Sequence, residues 1–131
     1  MARTPLFGMD DLYALVYVSD AIVPFSDADL EVLLESSRTY NDSVGVTGFL
    51  AYDRPWDGEG PGTFVQRLEG PRDAVLDVYE TRVLPSSRHD NVEVKLQGPI
   101  GQREFADWTM AFELGRQRKT DDPVGRIPRG L

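Results

Sequence analysis

Three polar side chains stand where the residue pattern turns them inward: Tyr17 in LYALVYV, Asn41 in RTYNDS and Gln66 in TFVQRLEGP. Alternate residues of a strand share a face, so Phe64, Gln66 and Leu68 point one way and Thr63, Val65, Arg67 and Glu69 the other. The face with Phe64 and Leu68 is the expected buried one. A primary amide there loses its water, and leaving it unpaired costs about 1–3 kcal/mol. A tyrosine on a neighbouring strand can serve as its partner, and Tyr17 is the candidate. A heteroaromatic ligand in an adjoining cleft would complete the set, because an amide donates from its NH2 while accepting at its oxygen. Taken singly, Tyr17 also reads as an aromatic whose hydroxyl reaches the surface, and Asn41 as a left-handed residue at a helix end. Gln66 is harder to dismiss as a tolerated buried polar residue, since the strand pattern turns it inward and glutamine is seldom fully buried without a partner.

The other reactive residues point away from catalysis, and the expectation is a protein that is not an enzyme. The one histidine, His89, follows Arg88 and reads as an exposed loop residue, with no serine context that marks a nucleophile. Zero cysteines exclude disulfides, thiolate metal sites and cysteine nucleophiles. Asp27, Asp29, Glu31 and Glu35 belong to a solvated helix face without metal-ligand spacing, so no metal is expected. An acylphosphatase-like phosphate cradle needs glycines and an arginine in the first strand-to-helix loop, whereas SDAIVPFSD is acidic and lacks glycine. RNA recognition on the same topology needs exposed aromatic and basic residues that TFVQRLEG does not supply. The net charge of -8 argues against nonspecific nucleic-acid and anionic-membrane binding.

The elements that must hold these residues fit one compact domain of 131 residues, 40% hydrophobic. MARTPLFGMDD carries neither a secretion signal nor a membrane span, and the expected location is cytoplasmic. LYALVYV, 12–18, suits a central strand covered on both faces, with Tyr13, Leu15 and Tyr17 together. In SDADLEVLLESSRTYN, Ser26 and Asp29 resemble a capping box, and Leu30, Leu33, Leu34 and Ser37 follow helical spacing, with Asn41 just beyond. Residues 44–52 and 63–69 read as strands of a hairpin whose tip is the Pro/Gly-rich DRPWDGEGPG. Pro71 suits the first position of a second helix lined by Val75, Val78, Tyr79, Arg82 and Val83 and ending near Pro85. NVEVKLQ, 91–97, predicts a strand with Val92, Val94 and Leu96 inward, and DWTMAFE, 107–113, a last one with Trp108, Met110 and Phe112 on one face. The order βαββαβ plus a strand predicts an α+β, ferredoxin-like sandwich with two helices on one face of a mixed sheet and a cleft between them. Its bounds are an N-terminal extension 1–10, a domain 11–113, and an extended or disordered tail 114–131.

In that setting the chain resembles the BLUF family, blue-light sensors using flavin. The likeness covers about residues 11–113 and rests on LYALVYVSDA, LLESSRTYNDSVGVTGFL, FVQRLEGP, SSRHDNVEV and REFADWTMAF in order. It implies a noncovalent flavin (FAD, FMN or riboflavin) between the two helices. It implies that Tyr17 supplies an electron and then a proton, and that Gln66, lying between tyrosine and flavin, relays the proton and ends in a changed hydrogen-bonded state. It places Asn41 on the flavin ring, Ser37 near the tyrosine and glutamine, and Arg82, Arg88 and His89 near the ring or its side chain. Trp108 and Met110 match a pair that carries the signal outward. The absence of cysteine agrees, because the LOV class of flavin photosensors needs one. Three departures stand out: a longer hairpin tip at 53–62, Ser86 where an aspartate is common, and one extra residue in the second helix near Thr81. The resemblance implies output through a homo-oligomer or a separate downstream protein. The alternative is a ferredoxin-like regulatory module that binds a small ligand without photochemistry.

Overall fold

A computed structural model describes residues 11–117. The N-terminal extension 1–10 and most of the predicted tail lie outside the described residues. In chain order the elements are β1 (Leu12–Ala21), α1 (Asp27–Val44), β2 (Thr47–Arg54), β3 (Thr63–Pro71), α2 (Arg72–Val78) with a π turn (Tyr79–Val83), β4 (His89–Pro99) and β5 (Ala111–Arg116). The strands form one sheet in the order β4-β1-β3-β2-β5, antiparallel except for the parallel pair of β2 with β5. This is the ferredoxin-like α+β arrangement. Its core lies between sheet and helices, where Leu30 and Leu34 of α1 and Val75, Val78 and Val83 meet Leu15, Leu50, Phe64 and Leu68.

α1 begins as its sequence dictates. Ser26 Oγ accepts from the Asp29 N–H at 3.1 Å and Asp29 returns the bond to the Ser26 N–H at 3.0 Å. The two bonds hold the Asp29 carboxyl below its usual range. The helix runs past Asn41 to Gly45, whose φ of 76° takes the left-handed position. Asn41 is therefore a helical residue of the last turns, and its carbonyl accepts from the Val46 N–H at 2.9 Å to close the helix. The second helix starts one residue after Pro71, which ends β3 and serves as N-cap. The extra residue anticipated near Thr81 falls inside the π turn, where Leu84 N–H reaches back five residues to the Tyr79 carbonyl at 3.0 Å. Wider i→i+5 bonding accommodates one more residue per turn without breaking the helix.

Three expectations are corrected. β4 does not alternate cleanly: Tyr17 pairs with Val94 but its neighbour Val16 pairs with Leu96, so a bulge at Lys95 turns Leu96 to the opposite face, 44% exposed. The last strand begins at Ala111, so Trp108 precedes it in a turn closed by its own N–H on the Phe105 carbonyl and is 56% exposed. Strand alternation does not reach it, and it parts from Met110, which is fully buried. Finally, β3 is covered on both faces, because Val65, Arg67 and Glu69 are as buried as Phe64 and Leu68. The residues 103–105 lie over that second face.

Candidate functional site

The cleft lies between α1 and the π turn and has the sheet for its floor. Its volume is about 420 Å³, within the range of small-molecule sites. Leu33, Leu50, Phe64, Val78 and Val83 give it apolar walls, and Ser86, Ser87, Arg82 and Arg88 add polar and basic groups to its lining. Tyr17, Ser37, Asn41, Gln66 and His89 also line it, so the residues singled out in the sequence converge here, Trp108 and Met110 excepted.

Tyr17 and Gln66 stand opposite each other on the paired strands β1 and β3. The Tyr17 hydroxyl donates to Gln66 Oε1 at 2.5 Å, with both residues buried. Burial, and next the nearby Tyr79 ring, whose centroid is 6.0 Å away, push the Tyr17 hydroxyl well above the ordinary tyrosine range. Tyr17 is therefore held neutral, as a proton donor. The Gln66 amide N–H donates to Met110 Sδ at 3.4 Å. The amide thus has a sense: its oxygen faces a hydroxyl and its nitrogen a thioether. Rotated by half a turn, it would set carbonyl oxygen against sulfur, which has no proton to give, and would offer donors to Tyr17 instead. Met110, assigned by the sequence to the last strand's inner face, lies against the amide, and Arg38 Nε donates to its carbonyl at 3.0 Å.

Asn41 is 3% exposed and spends one donor on a long 3.4 Å bond to the Thr109 carbonyl, which leaves amide capacity at the cleft. Arg82 spans the two helices: its guanidinium lies 4.2 Å from the Tyr40 ring centroid and donates to Ser36 Oγ at 3.4 Å. Arg88 also lines the cleft, and its backbone N–H donates to Ser86 Oγ at 3.2 Å. His89 corrects the sequence reading of an exposed loop. It opens β4, is 9% exposed, and has both ring nitrogens engaged, Nε2 with the Val83 carbonyl at 2.7 Å and Nδ1 with Ser19 Oγ at 2.7 Å. A carbonyl only accepts, so Nε2 carries the proton, and in the neutral ring Ser19 donates to Nδ1. The ring joins β1 to the end of the π turn and has no spare nitrogen for a ligand. The sequence reading missed Ser19 and Arg38, although Ser19 lies two residues from Tyr17 on the same strand face.

An apolar slot lined by Leu50 and Phe64, with the Asn41 and Gln66 amides and the Arg82 and Arg88 cations also in its lining, fits a planar heteroaromatic ring carrying a polar tail. The family model described as sensors of blue-light using FAD matches residues 12–111.

The chain belongs to the BLUF family. BLUF domains are blue-light sensors that bind flavin, FAD or FMN, noncovalently, and the regulatory module without photochemistry is not favoured. This BLUF domain is 34% identical over 118 residues to photoactivated adenylate cyclase subunit beta of Euglena longa, covering 89% of this chain and 13% of that protein. Subunit alpha of Euglena gracilis is 34% identical over 109 residues, covering 81% of this chain and 10% of that protein. The chain thus spans roughly a tenth of the curated relatives' length. The dark-state structure of the BLUF protein BlrB superposes with a TM-score of 0.66 at 31% identity, covering 81% of this chain and 74% of that one. A bacterial light-regulated adenylyl cyclase gives a TM-score of 0.66 at 27% identity, covering 78% of this chain and 27% of that one. The BLUF domain is a photoreceptor module and not itself a catalyst. No helix among the described residues is long and apolar enough to cross a membrane.

Proposed function

We propose that Tyr17 and Gln66 form the light-responsive pair of this BLUF domain and that Asn41, Ser37, Arg82 and Arg88 hold the flavin. The observation that carries this reading is the Tyr17 hydroxyl donating to Gln66 Oε1 while the Gln66 amide N–H rests on Met110 Sδ, beside the cleft. Bound flavin supplies blue-light absorption and, when excited, an electron acceptor. Tyr17 then serves as the donor of an electron and of its hydroxyl proton, which Gln66 Oε1 receives first because it is the hydroxyl's partner. Protonation at that oxygen removes the reason for the amide's present sense. As the electron and the proton return to Tyr17, Gln66 would be left neutral with its donor and acceptor exchanged, by rotation, tautomerisation or both, and Met110 Sδ would meet a different group. Asn41 keeps the ring in register with Gln66 through its spare amide capacity. Arg82 and Arg88 neutralise an anionic tail, which favours FAD or FMN over an uncharged flavin. His89 shapes the wall and fixes the end of the π turn.

The output passes through Met110 and the exposed Trp108 to a second copy of the domain or to a separate downstream protein, as the resemblance implies. The domain itself performs no catalysis on this reading. The test is colour. The purified protein is expected to be yellow, and its flavin spectrum to move to the red under blue light and return in darkness. A colourless protein that takes up no added FAD or FMN, or a bound flavin whose spectrum ignores blue light, would sink the assignment of Tyr17 and Gln66.

A further inference from the structure

On the sheet face turned away from the cleft, β3 carries a buried ion pair that the photochemistry leaves without a role. Arg67 is 2% exposed and Glu69 fully buried, with Arg67 Nε donating to Glu69 Oε2 at 2.7 Å. As a stabilising device the pair is poor, because two charges lose their water and Arg67 Nη1 finds no acceptor. What the carboxylate does gather is backbone. Glu69 Oε2 accepts from the Glu104 N–H at 2.9 Å, and Oε1 from the Phe105 N–H at 2.8 Å and from Thr47 Oγ1 at 3.4 Å. Arg103 adds bonds to Thr47 Oγ1 and to the Gly45 carbonyl, both at 2.9 Å, and the Phe105 ring stacks on Phe49. From this anchor the chain passes β2, where the Trp108 carbonyl accepts from the Gly48 N–H at 3.1 Å, and ends with Met110 against Gln66. One strand therefore holds both ends of the same strap, Glu69 on the outer face and Gln66 on the inner.

We propose that Glu69 is a positioning residue for the Tyr17–Gln66 site: its carboxylate pins the strap 103–110 so that Met110 is presented to Gln66, and the strap carries a change at Gln66 out to that carboxylate. A carboxylate is required because its oxygens must accept two adjacent backbone N–H groups while facing a guanidinium. Glutamine in its place turns an NH2 towards one of those donors. The second half of the proposal rests on the reading of Gln66 as the light-responsive amide.

Amide hydrogen exchange and the Met110 methyl resonance test the anchor in the dark, without flavin. The amides of residues 104 and 105 should be as protected as those of β3, although they lie outside regular secondary structure; exchange at exposed-loop rates overturns the anchor, whatever any variant does. In Glu69→Gln, both amides should exchange about tenfold faster, and the Met110 methyl resonance should shift. Should that variant not fold, Arg67→Leu with Glu69→Gln removes the stranded guanidinium and should show the same methyl shift. An unmoved Met110 resonance in a folded variant overturns the positioning role. With flavin bound, blue light should alter exchange at 104 and 105 in the parent, and Glu69→Gln should keep the red shift but change its dark-recovery time. A red shift accompanied by unchanged exchange and recovery overturns the transmitting half. A methyl shift without any red shift upholds the anchor and tells against the light-responsive reading alone.

Discussion

Replacing Gln66 by leucine tests whether the buried amide is a tolerated polar residue or the hinge of the site. Gln66 and Tyr17 are 6% and 4% exposed, so each depends largely on the other for its hydrogen bond. Gln66→Leu strands the Tyr17 hydroxyl and Tyr17→Phe strands Gln66 Oε1, each at about 1–3 kcal/mol, whereas removing both partners approaches neutrality. The two changes should therefore couple by about 1–3 kcal/mol in a double-mutant cycle. Urea unfolding of the flavin-free proteins, followed by tryptophan fluorescence, reads that coupling. In thermal melts each kcal/mol appears as about 4 °C for a domain of this size. Costs that add to within about 0.5 kcal/mol in the double variant would refute the hydrogen bond as an energetic unit. With flavin bound, both single variants should lose the stable red shift. Gln66→Leu should in addition show a blue-shifted dark spectrum. A Gln66→Leu variant that photocycles like the parent would remove the basis for placing the light response at this amide.

Asn41→Ala should weaken flavin retention, since each hydrogen bond it deletes is worth about 0.5–1.5 kcal/mol, and titration of the apoprotein with FMN that gives an unchanged affinity would show that Asn41 does not touch the ring. Trp108→Ala should leave the red shift and the stability almost untouched, because the side chain is mostly exposed, while altering dark recovery or light-dependent assembly; unchanged recovery and assembly would remove it from the output. Burial raises the Tyr17 pKa above its unfolded value of 10.0, so the folded state keeps a proton that the unfolded state gives up. That stability is complete below about pH 10 and declines as pH rises further, by at most about 1.4 kcal/mol per pH unit. Urea midpoints measured from about pH 9 to about pH 11 should fall less steeply for Tyr17→Phe than for the parent, and parallel curves would contradict the raised pKa.

Periodicity read the inner face of the sheet well because each of Leu15, Tyr17, Phe64, Gln66 and Leu68 sits on an unbroken strand with a fixed alternation. It failed where the ladder changes step. The bulge at Lys95 turned Leu96 outward, and the late start of β5 released Trp108 from the alternation that seemed to bind it to Met110. His89 looked like a loop residue because its partners, Ser19 and the Val83 carbonyl, are 70 and 6 residues away and one of them is backbone. Arg67 and Glu69 carried charges that composition assigns to solvent. Their burial comes from the segment 103–105, whose return over β3 no local pattern announces. The convergence on the cleft was legible through the polar residues that stand on apolar faces, together with the family resemblance.

The parallel pairing of β2 with β5 joins residues 47–54 to 111–116, and β5 is a terminal strand of only six residues bonded along one side. Such a contact closes a loop of 62 residues, from 49 to 111, for a ladder of only six residue pairs at the edge of the sheet, so it should form late in folding and open before the central strands as an independent cooperative unit. Met110 stands at the root of that unit. How often its sulfur leaves Gln66 is then governed by the small free energy of a local opening and not by the global stability of the domain, and mild warming that unfolds nothing should shorten the lifetime of any signalling state that depends on Met110 staying in place.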